Sequence, residues 1–265
     1  MLKNLKIEWM KIKNYRVFQV FSALYLMGLL LVVYIFYKVY LNVVGSVQQT
    51  VTGTQGKGSD VLNLFSSEFL MQTVCFWTGF LLYLPGMIII SLFINEVNFK
   101  TNRQNIIDGW KRETFIYSKI GLIVCMAAVI AIMNLLAGFI MSNVVGVTLS
   151  ADALKMVGFS FVQAMVYLLF ALLLATFFRR SGVAIIVFFI YGLLLEFLFM
   201  WIAGKISPGL QHFMPLQVAD SLTPFPRLRD FYIGLPSETV MLLAAMAFGG
   251  LYAFLTVRKY KYDDL

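Results

Sequence analysis

Six stretches of this chain run for about twenty residues almost without a charge: Val17 to Tyr37, Phe69 to Ile94, Ile120 to Met141, Met156 to Phe178, Gly182 to Ala203 and Thr239 to Val257. A helix of roughly 20 residues crosses ~30 Å of hydrocarbon. Inside hydrocarbon every backbone N–H and C=O must be satisfied within the element itself, which a helix achieves alone. The expected fold is therefore all-α: a polytopic integral membrane protein with six transmembrane helices, forming a single domain over residues 1–265. With 60% apolar and only 13% charged residues, a soluble chain of this kind would precipitate. The first run ends in Tyr34, Tyr37 and Tyr40 without a small-residue cleavage site, so it is expected to stay as an anchor.

Orientation follows from the basic residues. Fifteen of the 21 Lys and Arg fall in segments 1–16, 95–119, 179–181 and 258–265; Lys38, Lys57, Lys155, Lys205, Arg227 and Arg229 lie on the other face. The positive-inside rule then places both termini in the cytoplasm. The net charge of +8 flanks apolar runs and forms no contiguous basic face, which points to membrane lipid as a partner and not to nucleic acid. At the N-terminus, Leu2, Leu5, Trp9 and Ile12 recur at helical spacing opposite Lys3, Lys6 and Lys13. That pattern describes an amphipathic helix lying in the inner headgroup layer, the alternative being a plain basic tail. Five of the six prolines lie between the fifth and sixth runs, among Leu210, Phe213, Met214, Phe225, Phe231 and Tyr232. A segment so apolar is expected to form short helices that dip back into the outer leaflet or cap the bundle.

Catalytic patterns are missing from the sequence. In Gly53-Thr-Gln-Gly-Lys-Gly-Ser59 the first glycine of a phosphate loop would fall on Val51, and Gly58 stands where Ser or Thr is required. No nucleotide site and no cofactor are expected, the chain is read as not an enzyme, and any ATP dependence must come from a partner. His212 has no nucleophile pattern near it and reads as a surface histidine. Cys75 and Cys125 read as small buried side chains, and no metal site is expected. Pro85-Gly86 should kink the second helix, and Ala245 with Gly249 allows close helix approach, more often within one chain than between two. Glu196 lies about 21 Å into the fifth run, where a carboxylate costs ~2.5–3.5 kcal/mol unless it faces protein or water. It is either a substrate or gate residue, or a packing contact satisfied by Tyr191, Lys205 or a backbone group.

The stretch from Asn95 to Lys119 is polar and patterned. Ile106, Ile107, Trp110, Phe115 and Ile116 alternate with Arg103, Gln104, Asn105, Asp108, Lys111 and Arg112, which suits a short helix parallel to the membrane. It offers either a docking surface or a mere anchor. The pattern of Glu96, Thr101, Arg103 and Gln104, followed by Gly109, Arg112 and Lys119, resembles the signature of type-2 ATP-binding-cassette (ABC) transporter permeases. The resemblance covers about 25 residues as a motif and the whole chain as topology. It implies a coupling helix between spans 2 and 3 that docks on a cytoplasmic ABC ATPase through Glu96, Thr101, Arg103, Gln104, Asn105, Asp108, Gly109, Trp110 and Arg112. It further implies that the N-terminal helix is an elbow and that re-entrant helices lie between spans 5 and 6. A second permease copy or homologue would complete a dimer, the location would be a bacterial cytoplasmic membrane, and the chain would be the permease subunit of an exporter. An ion-coupled secondary transporter, which should show repeated halves and paired intramembrane charges, and a non-transporting membrane scaffold are the alternatives.

Overall fold

The computed structural model describes residues 8–49, 63–101, 104, 112–226, 234 and 236–262. Six of its helices are long and apolar enough to cross a membrane: span 1, Arg16–Val44; span 2, Leu70–Asn98; span 3, Glu113–Val145; span 4, Asp152–Phe178; span 5, Ser181–Ile206; span 6, Glu238–Tyr262. No strand occurs among the described residues. Each span is longer than the uncharged run that marks it, because Glu113, Lys119, Asp152 and Lys155 are compatible with helix and only leave the hydrocarbon.

Span 4 is the axis of the bundle and packs against spans 2, 3, 5 and 6. Its fully buried residues Ala164, Leu168, Ala171, Leu172 and Ala175 recur every three or four positions, and the alanines let neighbouring helices come close. In their most apolar windows, spans 2 and 4 are 72% and 67% buried, whereas spans 1 and 5 are 17% buried and form the rim. On that rim Met27, Leu30 and Leu31 of span 1 and Phe197, Leu198 and Trp201 of span 5 are exposed, apolar surface that lipid would cover.

Local devices shape the helices. Span 2 is α1 (Leu70–Gly79), a 3₁₀ turn at Phe80–Leu82, and α2 (Tyr83–Asn98). The tighter winding precedes Pro85, which has no N–H to give the carbonyl of Leu81. Beside it, Gly86 faces the Phe188 ring so closely that a Cβ would lie 2.5 Å from it. Span 4 ends at Arg179 in the left-handed conformation (φ 50°), and span 5 begins two residues later. Span 5 is α3 (Ser181–Ile190), a π-helical turn at Tyr191–Leu195, and α4 (Glu196–Ile206). In span 6, Ala245 and Gly249 are buried, and Gly249 faces Leu169 and Val166 of span 4, so this small-residue pair serves packing within the chain.

The first and the last described residues lie at one end of the bundle, since Lys261 Nζ is 2.7 Å from Glu113 Oε1 and Lys119 bonds Glu8. Residues 8–12 are helical. Of the expected apolar face, Ile12 is buried and Trp9 is exposed against Phe18, while the residues before Glu8 lie outside the described set. Two sequence readings need correction. His212 is fully buried, because the segment carrying it folds into the bundle, and Cys125 is exposed on the outer side of span 3 while Cys75 is buried.

Candidate functional site

Two polar constellations stand out in an apolar bundle, one at the end where the described residues begin and finish and one deep among the spans.

At the terminal end, Lys119 of span 3 is the centre. Its Nζ lies 2.5 Å from Glu8 Oε2 and 2.6 Å from Glu96 Oε1, with Lys11 farther out at 3.8 and 4.0 Å from the same two carboxylates. Two acids and two bases make a neutral group. Lys119 and Glu8 are 4% and 0% exposed at the side chain, so their attraction is screened little by water. The Ser118 hydroxyl lies 3.5 Å from Glu8 Oε1. One further bond reinforces the joint: Asn95 Nδ2 donates to the Tyr15 hydroxyl, and burial pushes the Tyr15 pKa above its ordinary value. Below this layer the rings of Phe93, Phe115 and Tyr260 meet, Phe115 and Tyr260 stacked at 5.3 Å. The N-terminal segment, the end of span 2, the start of span 3 and the end of span 6 are thereby fastened together.

The expected docking residues are only partly visible. Glu96 takes part in the ion group, and the exposed Thr101 donates its hydroxyl to the Glu96 carbonyl at 3.0 Å. Gln104 is exposed. Arg112 opens the helix Arg112–Val145, with its side chain outside the described set. Arg103, Asn105, Asp108, Gly109 and Trp110 lie outside the described residues.

The second constellation is built by the segment between spans 5 and 6. It forms a 3₁₀ turn at Leu210–Phe213 and a short helix α5 (Gln217–Asp220), with Leu216, Val218, Ala219 and Leu222 buried. Glu196 is 4% exposed, and its Oε1 accepts the backbone N–H groups of Leu216 (2.5 Å) and Gln217 (2.7 Å) at the start of α5. A carboxylate at that position satisfies two otherwise unpaired donors and suits the positive end of a helix. The Tyr252 hydroxyl donates to the Pro215 carbonyl at 3.0 Å, and Gln72 Nε2 to the Pro224 carbonyl at 2.7 Å.

Asp220, not among the candidate residues read from the sequence, is the second carboxylate of this region. Its Oδ1 accepts from Gln163 Nε2 at 2.9 Å, and the Tyr167 hydroxyl lies 3.0 and 2.9 Å from its two oxygens. Thr223 Oγ1 donates to Gln163 Oε1 at 3.2 Å. Depth along the spans follows from 1.5 Å per residue: Glu196 lies about 15 Å from the Ile206 end of span 5, and Tyr167 about 22 Å from the Asp152 end of span 4. The short helix therefore reaches roughly halfway down the bundle.

Next to Asp220 is a cavity of about 210 Å³ between spans 2, 4 and 5 and this inserted segment. Gly192, in the π-helical turn, lines it; a Cβ there would lie 2.2 Å from the Tyr83 hydroxyl, so only glycine lets Tyr83 take its place. π-helical turns are frequent at functional sites. No group of His, Cys, Asp or Glu that could hold a metal ion occurs among the described residues. Comparison with known proteins finds no matching family model, no matching curated protein and no matching solved structure.

Proposed function

We propose that this chain is the membrane-spanning permease subunit of an ABC exporter, located in a bacterial cytoplasmic membrane with both termini inside. A separate cytoplasmic ATPase docks on the segment from Glu96 to Arg112, and a second permease copy or homologue completes the transporter. The observation that carries this reading is the ion group at the terminal end. Glu96 and Lys119, at either end of the signature-bearing segment, are bonded to each other at 2.6 Å and to the N-terminal segment through Glu8. A push on that segment would reach spans 2 and 3 and the N-terminal helix together, since charge-assisted bonds of this kind are the strong ones.

The test is co-purification. Arg103→Glu should leave insertion intact, because it lies outside the apolar runs, and should weaken capture of an ATPase subunit about tenfold or more, a loss of ~1.4 kcal/mol or above. Normal capture and full ATP-dependent transport by this variant would defeat the docking assignment.

One observation favours a second reading, the ion-coupled secondary transporter: Asp220 joins Glu196 in the buried inner region, so two carboxylates occur where the sequence offered one. Uptake or efflux by the chain alone in proteoliposomes, driven by an imposed ion gradient without ATP, would establish that reading over the first.

A further inference from the structure

The cavity beside Asp220 has an uneven chemistry. One wall is aromatic: Phe76 and Phe80 of span 2 at 5.5 Å edge to face, and Tyr83 against Tyr167 at 5.8 Å and 90°. The Asp220 carboxylate, half-buried and bonded to the Tyr167 hydroxyl, lines the same cavity. A carboxylate can accept about four hydrogen bonds. Asp220 accepts hydrogen bonds from two donors, the Gln163 amide and the Tyr167 hydroxyl, both of them neutral groups. Among the described residues no lysine or arginine lines the cavity. A carboxylate thus shares a partly open cavity with four aromatic side chains and with the neutral polar side chains of Gln163, Gln217, Ser221 and Thr223.

From this arrangement we infer that the cavity is a binding site for a small organic cation, a ligand carrying a protonated or quaternary amine on a compact apolar body. The ammonium pairs with Asp220, and the rings of Phe76, Phe80, Tyr83 and Tyr167 supply cation–π attraction, which strengthens where water is excluded. A bare metal ion suits the site less, because hard cations take six or more oxygen ligands and the aromatic wall provides few. Size agrees: an apolar cavity of about 150 Å³ accepts benzene, so 210 Å³ holds a benzene-sized body with one extra polar group. Entry is from the side, where Phe80 and Leu193, 54% and 52% exposed, stand at the edge between spans 2 and 5. The inference rests on the cavity and needs neither an ATPase nor a partner permease.

The experiment uses the detergent-solubilised full chain and two probes of equal shape, benzylamine and benzyl alcohol, with binding followed by calorimetry. Benzylamine should bind saturably and at least about tenfold more tightly than benzyl alcohol. Asp220→Asn should remove that preference by weakening only the amine, and Leu193→Trp, at the exposed edge, should block both probes. Equal binding of the two probes, no saturable binding of benzylamine to the wild-type chain, or a folded Asp220→Asn that keeps the preference would each overturn the site. If Asp220→Asn does not fold, Leu193→Trp decides, since undiminished benzylamine binding by that variant places the ligand elsewhere.

Discussion

Glu8 and Lys119, 111 positions apart in the chain, meet at 2.5 Å with both side chains shut away from water. Removing one member of such a pair leaves the other charge buried and unpaired, which is the costly change; the pair itself is worth much less. Lys119→Met should therefore lower stability by about 3–5 kcal/mol, seen as a reduced melting temperature of the purified protein. Combining it with Glu8→Gln should restore part of the loss, so that the two effects fail to add. Additive losses would mean that the two residues act independently.

Lys155 and Glu238 form the contrasting pair at the opposite end of the bundle, with side chains 44% and 33% exposed. Water and salt screen them, and the expected cost of Lys155→Gln is about 0–1 kcal/mol. A melting point within a few degrees of the wild type is the outcome anticipated, and a loss as large as that of Lys119→Met would show that exposure is a poor guide here.

Glu196 caps the inserted short helix. Glu196→Gln keeps an oxygen for the Leu216 and Gln217 N–H groups and should cost about 1 kcal/mol. Glu196→Ala strips both donors of their acceptor, at about 1–3 kcal/mol for each N–H left buried and unpaired. Amide hydrogen exchange at Leu216 and Gln217 should accelerate in the alanine variant far more than in the glutamine one. Equal protection in all three proteins would exclude the capping role.

Gly192→Ala tests the π-helical turn. Its new methyl would lie 2.2 Å from the Tyr83 hydroxyl, so Tyr83 must shift or the helices must part. Overpacking of this kind costs about 1–3 kcal/mol. A fall in thermal stability that Tyr83→Phe partly relieves is the expected pattern, since that change removes the colliding oxygen.

Hydropathy made the helical bundle legible because crossing hydrocarbon demands long uncharged runs, and that demand is local. The ends of the spans were less legible: helix hydrogen bonding continues through Lys119 and Asp152, while the apolar signal stops. Asp220 was missed because the apolar, Pro-rich character of its segment predicts short inserted helices without showing which of their polar residues face the spans. Its flanking Leu216, Val218, Ala219 and Leu222 were the available signal, and all four are buried. Glu8 was missed for a related reason. Lysines dominate the polar side of the amphipathic pattern, yet Glu8 and Ile12 are four residues apart, on one helix face, and both are buried. No local rule pairs Glu8 with Lys119.

That long separation has a temporal side. Synthesis proceeds from the N-terminus, so Glu8 exists well before Lys119 emerges at the start of span 3. The N-terminal segment is thus without this bond while the first two spans insert, holding only its contacts with span 2, and gains it once the third is present. Glu196 repeats the situation on a shorter scale, its backbone partners following 20 and 21 residues later. Each carboxylate enters assembly ahead of the groups that make its burial tolerable, and span 6, which bonds the Pro215 carbonyl through Tyr252, arrives later still.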